Sequence, residues 1–420
     1  MNKKTVSVAV LGLVLALLVS SVAGAQSAGT TVAGGFNAPQ GVLVAPDGSV
    51  WVIDSGIGGD QETPFMNPET GKVETATFGE TARVVQVAAD GTQTVAASLT
   101  SVLVGQEAVG GARLALVGDS LYVTNGGWIG GAGEEALPNT AAVLKIEGDQ
   151  VTEVAKTWTL EKEQNPDGFI LESHPYGLTS GPDGKLWVAD SGANTVLTVD
   201  PGSGQVELVA TLAGIPSPLP NPARGDAMES DPVPTAVAFG QDGSIYVSNL
   251  PGFPFLPGSA KVVKISADGQ ASDYATGLTM ITDLRTGPDG SLYAVSLGQF
   301  TEQGPVPNSG AILRVKEGDG SETVFSGLSF PTSIDFTVEG DAYVTTNGVG
   351  APGSGELVLF EGVTSMAGAT SSAGAAPEAV PETGGAPLNS AWILVVAGAG
   401  LTAAGLFLGR RLTAGPEGGD

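Results

Sequence analysis

His174 is the only histidine in the chain, and cysteine is absent. Without cysteine there are no disulfides, thiolate metal sites or cysteine nucleophiles. Zinc sites draw mainly on histidine and cysteine, so catalytic zinc lacks a ligand set. No G-x-S-x-G elbow accompanies His174, which leaves a serine–histidine–acid triad without its nucleophile. The glycine-rich stretches Gly56-Ile57-Gly58-Gly59 and Gly126-Gly127-Trp128-Ile129-Gly130-Gly131 precede no helix pattern, so they are not phosphate cradles. His174 stands before Pro175 in a loop, either as the one catalytic candidate or simply as a residue lining a mouth.

Polar residues recur at one position. Asp54, Asn125, Asp190, Asn249, Ser296 and Thr346 each lie three residues beyond an aromatic, and Asn347 adjoins the last. A second set, Gln40, His174, Thr235, Asp283 and Thr332, stands at the start of the segment before each aromatic. Two readings fit. Asp and Asn cap turns by bonding nearby backbone amides; alternatively, the two sets ring one mouth of a channel and touch a ligand. Converging carboxylates would suit a hard cation such as Ca²⁺, with Asp54, Asp190 and Asp283 as its ligands. Trp128, in a glycine-rich loop, could stack on a sugar or an aromatic ligand.

These positions are set by a repeat. GVLVAPDGSVWVIDSG from Gly41 returns as GLTSGPDGKLWVADSG from Gly177, AVAFGQDGSIYVSN from Ala236 and DLRTGPDGSLYAVS from Asp283. Degenerate copies start at Arg113 and Ser333. The marker aromatics Trp51, Tyr122, Trp187, Tyr246, Tyr293 and Tyr343 are spaced by 47 to 71 residues. Asp-Gly between two strand-like runs signals a hairpin, because Gly tolerates positive φ. Two further strand patterns follow each hairpin, as in the segment from Lys261. A four-stranded sheet cannot bury both faces alone, so such units must stack. The expectation is an all-β, six-bladed β-propeller over residues 26–362. Its last blade lacks a strand, and Thr31–Phe36 is expected to supply it, removing an exposed sheet edge. Long insertions at 56–80, 126–139, 158–173, 215–231, 250–259 and 297–309 should crowd the face that carries the polar sets, where binding usually resides.

The ends differ. Residues 1–25 hold Lys3, Lys4, an apolar run from Val8 to Val19 and small residues at Ala23-Gly24-Ala25. This is a secretory signal peptide, or else an uncleaved anchor. Residues 363–387 form an Ala/Gly/Ser/Pro stalk, and 388–408 an uncharged run long enough for one transmembrane helix. Arg410 and Arg411 keep the 409–420 tail cytoplasmic, leaving the propeller outside. Pro381, Thr383 and Gly384 lie in a VPETG sequence that is similar to a sortase sorting signal; cleavage would fall between Thr383 and Gly384. A plain membrane anchor is the other reading.

His174-Pro175-Tyr176-Gly177-Leu178, continued by Pro182-Asp183-Gly184 and Leu186-Trp187-Val188-Ala189-Asp190, resembles an NHL-type repeat. The layout resembles the ScyD/ScyE family, named after the scytonemin gene cluster of cyanobacteria. Shared features are Phe36-x-x-Pro39-x-Gly41 leading into the first blade and Ser55-Gly56-x-Gly58-Gly59 after its aromatic strand. The resemblance spans residues 27–362 and implies the fold more than any chemistry; six-bladed relatives include lactonases and adhesive modules.

A formal net charge of −27 repels phosphate backbones, which argues against a nucleic-acid partner. The first expectation is therefore an exported, membrane- or wall-anchored module binding a ligand or surface protein through its looped face, without catalysis. The alternative is a metal-assisted hydrolase or lactonase at the channel mouth.

Overall fold

The computed structural model describes residues 29–366 apart from 68–71, 106, 132, 134 and 302–303. The expected signal peptide, the stalk beyond Met366, the transmembrane helix, the tail and Pro381, Thr383 and Gly384 lie outside the described residues. Among the described residues no helix is long and apolar enough to cross a membrane.

Six antiparallel sheets follow one another along the chain. Their innermost strands are Pro39–Val44, Gly111–Val117, Pro175–Ser180, Pro234–Phe239, Ile281–Thr286 and Ser333–Phe336. Each packs against the next, and the sixth packs against the first, so the sheets form a closed circuit of blades around one axis. Blade 6 takes its outermost strand from the start of the described chain: Thr30–Phe36 pairs antiparallel with Gly355–Phe360.

The repeat has a local cause. In the blade 3 hairpin, Gly184 adopts φ 77°, as Asp-Gly turns require. Asp183 accepts from the Lys185 amide at 3.2 Å, and Trp187 Nε1 donates to the same carboxylate at 3.3 Å. Asp289 repeats this with Ser291 N and Tyr293 Oη, both at 3.1 Å. The marker aromatic therefore closes back over its own turn.

Alternation then sends apolar residues to both faces of every blade, and each blade boundary holds its own buried cluster. Ile53, Val84 and Leu99 of blade 1 meet Leu114 and Leu144 of blade 2. Phe36 and Leu357 of blade 6 meet Val42 and Val85 of blade 1. Burial of each such side chain contributes about 1.5–3 kcal/mol. The fold runs past residue 362: α2, Val363–Met366, follows the last strand, and Val363 is fully buried in the blade 5–blade 6 cluster.

Five of the expected loops hold regular structure, two of them only two-residue strands: Trp128–Ile129 in 126–139, and Phe300–Thr301 paired with Gly304–Pro305 in 297–309. The other three hold more. The 56–80 insertion is a hairpin in which Gln61–Asn67 pairs with the first half of the long strand Lys72–Val87. The 158–173 connection contains α1, Thr157–Gln164, which buries Trp158 and Leu160. The 215–231 connection is a second hairpin, Ile215–Asn221 with Ala227–Ser230. The sequence hid them because no capping side chain starts α1 and no Asp-Gly turn marks either hairpin.

Candidate functional site

The expected ring of polar residues is a set of turn caps. Asp54 is fully buried; it accepts from the amides of Asn37, Ala38 and Gly56 and pairs with Arg83 at 2.5 Å. Asp190 accepts from Ser173 Oγ and the amides of His174 and Ala193. Asn125 donates to the carbonyls of Thr100 and Asn139, and Ser296 to that of Thr279. Asn249 accepts from the Lys261 amide; Asn347, at φ 54°, donates to the Ser354 carbonyl. Of the two readings, the geometry gives these six the capping role.

Gln40 and Asp283 belong to a different arrangement, the plug of the channel. Arg113, 1% exposed, lies over the Tyr176 ring at 4.3 Å. Its guanidinium donates to the carbonyls of Gln40, Thr282 and Thr332, and its Nε lies 3.6 Å from Asp283. Tyr176 Oη donates to Gln40 Oε1 at 2.9 Å. One side chain thus ties residues of blades 1, 2, 3, 5 and 6 together on the axis. Burial pushes the Asp283 carboxyl up, but Arg113, Arg285 and its hydrogen bonds outweigh this and hold it below the usual range.

The expected calcium set does not form. Asp54 and Asp190 are saturated by amides in different blades, and Asp283 faces Arg113. Among the described residues no group of three or more His, Asp or Glu is arranged to hold a metal. The carboxylates do not fit the role, and no step below runs through a cation.

A cavity of about 570 Å³, its mouth included, lies off the axis between blades 1 and 2 and the connection to blade 3. Three short pieces of sheet build it. Thr63 to Met66 of the blade 1 hairpin roof it. A tight hairpin, Val102–Val104 with Glu107–Val109, forms one wall. Period-two alternation puts Val102 and Val104 on that wall together with Glu107 and Val109. Opposite, Trp128–Ile129 pairs with Glu172–Ser173. The same alternation turns Glu172 and His174 into the cavity, while Ser173 points away to Asp190 and Thr157.

The polar groups here are buried among apolar neighbours. Glu107 is 6% exposed, and burial pushes its carboxyl up to about 7. Burial also raises Glu172 well above the carboxylate range, and the nearby acids Asp231, Asp190, Glu161 and Asp167 push it the same way. Glu161 itself rises to about 8, first through burial and then through Asp190 and Asp167. Burial pushes His174 down to about 4, so it is neutral near pH 7. Glu172 Oε1 and Trp128 Nε1 are buried without a protein partner. Perturbed carboxyls in an apolar concavity with a few converging polar groups mark a functional site. Of the two sets expected to ring the channel mouth, only His174 lies here, together with Trp128 of the glycine-rich loop.

No family model matches the chain. A curated relative, the gluconolactonase of Zymomonas mobilis subsp. mobilis, is 30% identical over 142 residues, covering 32% of this chain and 36% of the relative. The chain thus matches about a third of that relative's length. Among solved structures, virginiamycin B lyase from Staphylococcus aureus covers 77% of this chain and 95% of its own at 15% identity, with a TM-score of 0.41. The calcium-binding protein regucalcin from Agrobacterium tumefaciens covers 80% and 93% at 13% identity, with a TM-score of 0.45. At such scores neither likeness bears on chemistry. The expectation of a binding module without catalysis is corrected by the gluconolactonase match, which falls on an enzyme and favours the hydrolase alternative.

Proposed function

We propose that the off-axis cavity is a hydrolytic site for a cyclic ester. The observation that carries this is the pair of buried carboxyls, Glu107 and Glu172, facing one apolar cavity between walls of sheet. The gluconolactonase match supports the reaction class. Glu107, poised near neutrality, takes a proton from water as that water attacks the lactone carbonyl. Glu172, held protonated, gives its proton to the ring oxygen as the carbon–oxygen bond breaks, leaving a hydroxy acid. His174 stays neutral and offers a hydrogen bond to water or substrate, not a proton.

The motif likeness to the ScyD/ScyE family is kept as a proposal of kinship. So is the reading of the termini, an exported propeller anchored at a membrane or wall and working outside the cell.

The test is lactone hydrolysis by the full chain, followed as acid release, with Glu107→Gln and Glu172→Gln alongside. Each variant should lose about 10²- to 10⁴-fold in rate, and the parent's kcat/KM should rise with pH through about 7 as Glu107 ionises. Parent-like rates in both variants would remove the cavity from the chemistry.

A further inference from the structure

The cavity wall says more about the substrate than about the reaction. Val102, Val104 and Val109 face it from one side, Ile129 from the other, and Phe65 and Met66 from above. Met66 is wedged against blade 2: a Cβ placed on Gly131 would lie 2.8 Å from its Cε. Main-chain polar groups of the three wall segments pair with a neighbouring strand on one side. Thr63 Oγ1 is turned to the Pro64 carbonyl at 3.5 Å. Glu107 and Glu172 are occupied by the attack and the leaving oxygen, so among the ionisable side chains of the lining His174 alone remains for a further polar group.

A sugar lactone carries a hydroxyl on nearly every carbon. Each would leave water for a wall whose side chains are mostly apolar, and burying an unpaired hydroxyl is unfavourable. A substituent of several methylenes meets the opposite situation, since each apolar group it buries is a gain.

We infer that the site takes lactones bearing an alkyl or aryl substituent, in preference to polyhydroxylated ones. This rests on the hydrolytic reading of the same cavity. It also separates this chain from the activity named for its relative, whose match leaves most of both proteins uncovered.

The experiment compares kcat/KM of the full chain for γ-butyrolactone, γ-hexalactone, γ-octalactone and glucono-δ-lactone, each corrected for spontaneous hydrolysis, with Glu172→Gln as the control. The alkyl series should rise roughly fourfold per added methylene, and glucono-δ-lactone should fall below γ-octalactone by at least about tenfold. Faster turnover of glucono-δ-lactone than of γ-octalactone, abolished in Glu172→Gln, would overturn the inference and leave the hydrolytic reading standing. Absence of turnover for all four would overturn both.

Discussion

Asp54, Asp283 and Glu172 carry the same functional group in three different situations. Asp54 ends on amides and Arg83, Asp283 on two arginines, and Glu172 on apolar wall with one oxygen unpartnered. The first two are held by polar partners and do structural work; burial keeps the third an acid. Asp54→Ala would strand three amides and unpair Arg83, a cost of about 2–4 kcal/mol, read as a lowered urea midpoint with lactone turnover kept. Acids with raised pKa values act on stability in the opposite sense to ion-paired ones. Glu107 titrates near 7 and Glu161 near 8 in the folded chain, against an ordinary 4.5. The folded state then binds more protons than the unfolded one, so stability falls as pH rises from about 4.5 to 8. His174, lowered to about 4 from 6.5, opposes this only below pH 6.5. Thermal melts from pH 6.5 to 8 should therefore show Tm falling, with a shallower slope in Glu107→Gln; a Tm rising over that span contradicts these assignments. The sequence placed the capping residues but left their role open between two readings. Arg113 left a trace that was legible. The axis position is Gly41, Gly177, Ala236 and Ser333 in four repeats, small because the next inner strand approaches closely: a Cβ on Gly41 would lie 3.2 Å from the Arg113 Cα. In the other two repeats it is Arg113 and Asp283, opposite charges that meet. Glu172 was readable by alternation from His174, whereas Glu107 sits in an insertion with no counterpart in other blades.

Elements divide into those the repeat specifies and those it does not. Aromatic strands and Asp-Gly turns recur, so their pairings could be read from the chain. The insertions that build the cavity each occur once and carry no shared period, so 56–80 and 158–173 read as loops. The blade 1 hairpin is separable from its blade, because Gly59 and Gly79 touch: a Cβ on Gly59 would lie 2.5 Å from the Gly79 Cα. Replacing residues 60–78 by two glycines should preserve the sheet and shift Tm by less than about 5 °C. Removing Phe65 and Met66 with the roof should lower lactone turnover about 10²-fold or more. Retained turnover in a folded deletion variant would place the chemistry elsewhere.

At the scale of the molecule, the axis and the site are neighbours: His174 of the cavity meets the Tyr176 ring edge-on at 6.0 Å. The axis is filled by Arg113, Tyr176, Gln40 and Asp283, which tie the blades together, and the space for a ligand lies to one side, where insertions from blades 1, 2 and 3 lean together. The number of repeats pointed to six blades and the missing strand of the last one pointed to the residues before Phe36. The repeat pointed to a plugged axis only through one departure in each of two blades, Arg113 and Asp283. The most direct measurement is a crystal structure of the full chain with the γ-lactam counterpart of γ-octalactone, which resembles the substrate but resists hydrolysis. The lactam should lie in the off-axis cavity, its carbonyl toward Glu107 and its alkyl chain against Val102 and Val104. Density for it on the propeller axis beside Gln40 and Arg113, with the cavity empty, would contradict the central claim.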